Sequence, residues 1–487
     1  MGKLYPTCVM EAIPGDYFSI NVENMLRFLP LVSPVMHRVN ITTDFFFVPN
    51  RILWSEWEQW ISNAPNDSSA PYISLDTAAI SVGTLADYMG VPQGTYSEDL
   101  RISPLQFAAY YKIWDEYYRD QNLQLPKFVP VTSGDNTSQY LALITAVPAF
   151  RAWMHDYFTS ALPFAQKGDS VQIPLTVEQN IPVEWQENAD GTSGWRNPDG
   201  SPAAPNNDLI SAGGPTPYVS STGLPGITDT ITYDPRGSLA VDVQTQATDI
   251  NTLRRAFKLQ EWLERAARAG TRYTESILSH FGVRSSDARL QRPEFIGRGV
   301  QNMVISEVLS TAQTTDEFDS TVPVGLMAGH GISVGGTRDF RYRAEEHGFV
   351  IGILSVTPKT AYQDGIHKSF TRFDKFDYAW PTFANLGEQP VLMKELRALS
   401  STPDAVFGYV PRYAEYKYMN SRVAGEMRTS LDFWHLGRKF ATDPVLNDIF
   451  VECDPSRRIF AVTATDEDHI VAHVVNNVTV VRKLPRF

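Results

Sequence analysis

The sequence predicts a mainly β protein whose antiparallel strands are joined by long, elaborate loops. Three observations predict it. Aromatic residues fill 12% of the 487 positions, and 32 prolines match 31 glycines, a usage that suits strands, turns and contact surfaces better than helical bundles. The best strand segments, 16–29, 35–49, 345–358, 457–465 and 469–484, alternate in polarity or are apolar on both faces. They follow one another through long excursions rather than regular crossover helices, which points to antiparallel pairing and not to a βαβ series.

Pro14-Gly15-Asp16 is a turn signal ahead of the first of these strands, DYFSINVENMLRFL. The next, 35–49, stops at Pro49, which has no ladder donor to give. It carries Phe45, Phe46 and Phe47 side by side, whereas a strand resting on one core needs apolar residues only at alternate positions. The period of two puts Phe45 and Phe47 on one face and Phe46 on the other, so both faces need cover; which one is the core stays open. WSEWEQWIS (54–62) predicts a short helix with Trp54, Trp57 and Ile61 on one face, followed by the breaker-rich loop NAPNDSSAP. SPLQFAAYYKIWDEYYRD (103–120) predicts a helix that starts at Ser103 with Pro104 in its first position, and AFRAWMHDYFTS (149–160) predicts another.

From about 165 to 240 the composition shifts to Pro, Gly, Asn, Asp, Ser and Thr, as in NADGTSGWRNPDGSPAAPNND. So long a stretch without structure is unusual inside a compact domain; it reads as a surface insertion with minor β pieces such as VQIPLTV (171–177). Residues 248–281 give the clearest helical signal. Thr248 or Asp249 caps it, Ile250, Leu253, Phe257 and Trp262 fall near helical spacing, and Gly270 divides it in two. Strand signals return from 299 onward, and no internal repeat of 20–50 residues is present.

Net charge is −13, which argues against a chain coated in nucleic-acid-binding charge but leaves room for a local basic face. One such face lies between Asn251 and Val300, where ten Lys/Arg meet five Asp/Glu, a net of +5. Arg254, Arg255, Lys258, Arg265, Arg268 and Arg272 contribute. A solvated helix face bridged to Glu261 and Glu264 explains it as well as contact with an anionic neighbour does. A smaller cluster, Arg482, Lys483 and Arg486, ends the chain. Two cysteines, Cys8 and Cys453, make a disulfide framework improbable and a reducing compartment the natural expectation. No signal-peptide core and no apolar run of spanning length is visible.

The familiar chemical signatures are missing. His469 and His473 follow Asp466, Glu467 and Asp468, but a closed metal site needs three or four convergent ligands, and a strand with two polar positions accounts for the pair. The glycines of GLMAGHGISVGGTRDF (325–340) fit no phosphate-loop pattern and read as turns and tight loop packing. No nucleophile elbow or nucleophile signature appears, and nothing selects a carboxylate pair. No cofactor is implied. What stands out is Tyr, Trp, Phe and Arg interleaved with Pro in loops, as in FTRFDKFDYAWPTF (370–383) and FGYVPRYAEYKYM (407–419). That is contact-surface composition, so the residues themselves suggest a large β domain that assembles with copies of itself.

PVMHRVNITTDFFFVPNRILWSEWEQWI (34–61) resembles the major capsid protein of the Microviridae, the small icosahedral single-stranded DNA phages, and the gokushovirus branch in particular. The likeness continues in YFTSALPFAQKG (157–168), LERAARAGTRYTESILSHFGVRSSDARLQRPEFIG (263–297), HGFVIGILSVTPKTAYQDGI (347–366) and FVECDPSRRIF (450–460). It runs from near residue 8 to the end, apart from about 170–240.

The resemblance implies one eight-stranded antiparallel jelly-roll β-barrel over 1–487 with long, partly helical insertions. A helical and loop insertion would occupy 54–165, a variable surface insertion 169–240, a basic helical segment 248–297, and late strands with contact loops 345–487. It implies a sixty-copy T=1 shell around circular single-stranded DNA, a virion assembled in the bacterial cytoplasm, and no enzyme activity. The implied partners are the chain itself, the packaged DNA, a small basic DNA-binding virion protein, pilot and scaffolding proteins, and a host surface receptor. On this reading DNA contact is expected at Arg482, Lys483 and Arg486. Subunit contact is expected at Arg254, Arg255, Phe46, Trp54, Trp57, Tyr413 and Tyr416. The insertion would form a threefold protrusion that displays Trp185, Trp195 and Tyr218 to a receptor. A carbohydrate-binding or carbohydrate-cleaving β-sandwich is the alternative that the aromatic and carboxylate content supports.

Overall fold

The computed structural model describes residues 1–64, 68–76, 78–97, 100–169, 171, 250–311, 314–315, 321–322, 325, 327–384, 386–462, 464 and 467–483, together with the backbone of short strands between 184 and 240. The chain forms two compact units: Met1–Gly168 with Leu263–Phe487, and Asp169–Trp262.

The first unit is built on two antiparallel sheets. Their strands are β1 (Tyr5–Ala12), β2 (Tyr17–Phe28), β3 (Val39–Pro49), β4 (Glu294–Asn302), β5 (Val304–Leu309), β6 (Met327–Gly336), β7 (Phe340–Arg343), β8 (Gly348–Pro358) and β9 (Ile470–Val481). One sheet has the order β1-β8-β3-β4. In the other, β2 pairs along its whole length with β9 on one side. On its opposite side it pairs with β6 at Glu23–Arg27 and with β7 at Tyr17–Ile20, and β5 lies beyond β6. Only Met303 separates β4 from β5, so the chain steps from one sheet to the other there.

Side chains from β2 (Phe18, Ile20, Val22) meet Phe45 and Phe47 of β3 and Val350 of β8 between the sheets. A second core patch, with Leu26, Phe28, Val39, Ile41, Leu354 and Val356, continues it. The other face of the first sheet is covered by the chain segment that follows β3. Phe46, Val48, Ile351 and Ile353 pack there against Trp54, helix α2 (Leu105–Ile113) and helix α3 (Thr137–Ile144). This accounts for the three phenylalanines: all are buried, two in the sandwich and one beneath the helical layer. Each contributes about 1.5–3 kcal/mol by leaving water. The single charge on that strand, Asp44, lies fully buried on the Phe46 side. It accepts from Tyr118 Oη at 2.6 Å and from Arg298 Nε and Nη2 at 2.6 and 2.9 Å. Burial, then the Asp44 charge, pushes the Tyr118 phenol well above its ordinary range, so it remains a donor.

Several expectations are corrected. The two sheets form an open sandwich and, among the described residues, do not close into a barrel. Residues 149–160 are not helical: Arg151 N donates to Gly2 O, Trp153 N to Val451 O, and Ala152 bridges Glu452, so distant segments take the bonds a helix would need. Residues 457–465 form no strand in their described part; Phe460 makes one isolated bridge to Leu31 and turns back on Arg457. The glycines of 325–340 are not mainly turns but belong to β6. Gly329 lies under the Ser33 carbonyl and Gly331 under the Phe28 ring, where a Cβ would fall 2.4 and 2.8 Å from them. The first helix is shorter than expected, α1 (Trp57–Ile61), and its packed face is Trp54, Trp57 and Trp60 at ring separations of 5.5–6.1 Å, while Ile61 is exposed. Pro104 stands at the cap of α2, one position before the place predicted, and the helix widens into a π turn at Trp114–Tyr118. The basic segment does form two helices, α4 (Ile250–Ala269) and α5 (Tyr273–Phe281), parted at Gly270 with φ +97°.

Candidate assembly surface

The segment 366–386 has neither helical nor strand periodicity, and it folds into three 3-10 turns, Lys368–Thr371, Lys375–Asp377 and Pro381–Phe383. Local side chains fix it. Asp377 accepts from the backbone N–H groups of Asp374 and Phe373, each at 2.9 Å, and these bonds hold its carboxyl below the usual carboxylate range. Trp380 Nε1 donates to Lys375 O at 2.8 Å, and Trp380 N to Tyr413 Oη at 3.1 Å.

Beneath these turns lies a buried ion pair. Arg372 Nη2 donates to Glu415 Oε1 at 2.9 Å, with 9% and 3% of the two side chains exposed. The second Glu415 oxygen accepts from Gln389 Nε2 at 2.6 Å, and Gln389 in turn accepts from Tyr413 N. That last bond holds Tyr413 at φ +64°, a region bulky residues rarely adopt. Arg372 also sits over the Tyr416 ring at 4.6 Å.

Upon this fixed base the apolar groups face water. Phe373 is 89% exposed and Met419 96%, and Phe370, Tyr378, Trp380 and Tyr416 are each about half open or more. A loop that seals Arg372 against Glu415 and exposes its aromatics is organised for docking. Its rings have little freedom left to lose on contact, and aromatic anchors dominate interface energetics.

The other site expectations separate clearly. Tyr416 is exposed in this surface, whereas Tyr413 is buried and acts through its hydroxyl and backbone. Phe46 and Trp54 are covered within the chain itself. Phe46 packs on Tyr117, Tyr118 and Phe295, and Trp54 on Trp57 and Trp60, which leaves Phe46 and Trp54 no open surface for a neighbour and Trp57 only a partial one. Arg254 and Arg255 are exposed on α4, where Lys258 pairs with Glu261 at 2.6 Å.

Arg482 is not a free cation. It holds the fully buried Asp16 through Nε and Nη2 at 2.7–3.1 Å and donates to Glu11 O, tying the end of β9 to the turn before β2. Lys483 lies against Gly15, and Arg486 falls outside the described residues. Trp185, Trp195 and Tyr218 belong to the short strands Glu184–Trp185, Trp195–Arg196 and Tyr218–Ser220, and their side chains fall outside the description.

His469 is buried, with Nε2 2.7 Å from Val462 O, and His473 is exposed; among the described residues no three His, Cys, Asp or Glu side chains converge on a metal position. The Arg372–Glu415 pair escaped sequence reasoning because its members are 43 residues apart. The alternation of aromatic and charged residues in 370–380 was the one available signal.

Comparison with known proteins points the same way. The family described as "Capsid protein (F protein)" matches residues 1–487. Capsid protein VP1 of Chlamydia phage 1 is 34% identical, over all of this chain and 92% of its own length. Capsid protein VP1 of Bdellovibrio phage phiMH2K is 35% identical, over 99% of this chain and 90% of its own. Capsid protein VP1 of Spiroplasma virus 4 is 29% identical, over 96% and 88%.

Proposed function

The chain belongs to the phage capsid protein (F protein) family, and on that footing we propose that sixty copies of it close into a T=1 icosahedral shell around circular single-stranded DNA. It is a structural capsid protein, a component of the virion that assembles with itself. In the reading offered here the open two-sheet sandwich is the shell wall, a jelly-roll variant whose strand pair β4–β5 passes between the sheets. The surface built on Arg372 and Glu415 is the principal contact between copies. The insertion near 169–240 projects outward and meets the host receptor. The acidic chain, at −13, leaves most neutralisation of the genome to a small basic virion protein, and pilot and scaffolding proteins act during assembly in the host cytoplasm.

The observation that carries the reading is the fixed aromatic surface, whose exposed rings need a partner to cover them. Electron microscopy and mass measurement of particles from cells expressing the chain with its helper proteins test it. Closed shells of uniform diameter and a mass of sixty subunits are expected; soluble monomers, or shells of another copy number, refute the T=1 reading.

A further inference from the structure

We propose that β9 pairs along its free backbone edge with β9 of a second copy, across a twofold axis, so that one sheet runs continuously through two subunits. This rests on the capsid reading, since it requires copies brought together in a shell. It concerns a different surface from the aromatic loop.

A sheet edge presents a row of unpaired N–H and C=O groups, and proteins blunt such edges with proline, bulges, charges or shortness. Every other edge strand of this sandwich is blunted, the four-residue β7 by its shortness and by Arg341 and Arg343. On β1, Pro6 lacks a donor and the register shifts between Pro6 and Cys8. On β4 the register shifts between Phe295 and Gly297. The short β5, six residues long, carries Glu307. The remaining edge, β9, has none of these devices. Its twelve residues, IVAHVVNNVTVV, contain no Asp, Glu, Lys, Arg, Pro or Gly, and eight are Val, Ile or Thr. Its ladder to β2 is unbroken from Tyr17↔Val481 to Phe28↔Ile470.

Among the described residues, β9 makes no other backbone pairing. Asn476 Nδ2 reaches across to Thr7 O at 2.8 Å, which is a side-chain tie between the sheets and leaves the backbone row free. The burial pattern is that of an edge awaiting cover. Val474, Val478 and Val480 face the sandwich interior yet are only half buried, and Val471 and Val481 stand open on the outer face.

The occupant follows from the composition. A long strand with no fixed charge presents no repulsion to a copy of itself, and an antiparallel mate of equal length is another β9. Pairing about a dyad perpendicular to the sheet is isologous. Opposed residues then share a face, so one residue of β9 lies opposite its own copy, close enough for a disulfide.

Single cysteines placed in turn at each residue from Ile470 to Val481 test this in assembled particles of the full chain under mild oxidation. The unchanged chain is the control for native Cys8 and Cys453. The expected result is a disulfide-linked homodimer at one position, in half the subunits or more, falling severalfold two residues away and missing from the control. Particles that form without a homodimer at any position, or that link β9 to another protein, overturn the proposal and leave the capsid reading standing. A chain that makes no particles in any form overturns both. Asn477→Lys gives an independent reading. It should lower particle yield at least tenfold at low salt with the thermal midpoint of unassembled subunits unchanged; an unchanged yield counts against the paired edge.

Discussion

Arg372 and Phe373 are neighbours in the chain with opposite roles. Arg372 is sealed under the loop against Glu415, and Phe373 stands almost wholly in water. Removing one partner of a buried pair leaves the other charge uncompensated, at about 3–5 kcal/mol, whereas truncating an exposed ring moves stability by about 0.5 kcal/mol or less. Arg372→Ala is therefore expected to unfold at lower urea, with a loss near 3 kcal/mol. Phe373→Ala should match the parent in urea yet assemble poorly. If Phe373→Ala assembles normally, the ring is not an interface anchor. The pair also shows what a sequence reveals. Interleaved aromatics and charges marked 370–383 as contact surface, but nothing in the pattern said which side chains turn inward. Burial is decided by Glu415 and Gln389, brought in from distant segments.

At the scale of elements, the connection between β2 and β3 holds a pH response. His37, on that connection, sits with its Nε2 against Lys359 O at 2.6 Å. Burial, with His435 and Arg458 nearby, lowers its pKa from the ordinary 6.5, against the pull of the Lys359 carbonyl. The unfolded chain then binds a proton that the folded chain resists, so stability rises with pH. The His37 contribution is fully present above about pH 6.5 and is lost as pH falls through the lower folded value. Calorimetry of unassembled subunits between pH 7.5 and 5 should show a falling midpoint, and His37→Gln should flatten that fall. An identical pH slope in the variant would remove His37 from the account. The elements themselves were unevenly legible. Strands β2, β3, β8 and β9 announce themselves because burial on one or both faces demands a matching pattern. Strand β6 hides behind four glycines, since close approach of Ser33 and Phe28 excludes side chains at two of them. The false helix at 149–160 has helical spacing of apolar residues, but its backbone bonds go to Gly2 and Val451.

The whole molecule separates into two units, with Asp169–Trp262 distinct from the sandwich that Met1–Gly168 and Leu263–Phe487 build together. If 169–240 is a surface insertion, as proposed, a unit that carries its own contacts should be removable. Deleting 185–225 is expected to leave closed shells at near-normal yield while host adsorption falls by tenfold or more, measured by plaque formation and by direct particle binding to cells. Intact shells that adsorb normally would end the receptor reading. By itself the sequence determined the β class, the two-sided burial of Phe45–Phe47 and, through long matched segments, the capsid family. These are written locally, in period, composition and order along the chain. Only the tertiary structure decided that Phe46 and Trp54 are covered by the chain's own helices, that Arg482 belongs to Asp16, and that the β9 edge is left open among the described residues. Each of those depends on groups tens to hundreds of residues apart competing for the same partner, and the outcome is set by which burial and which hydrogen bonds can be satisfied together in space.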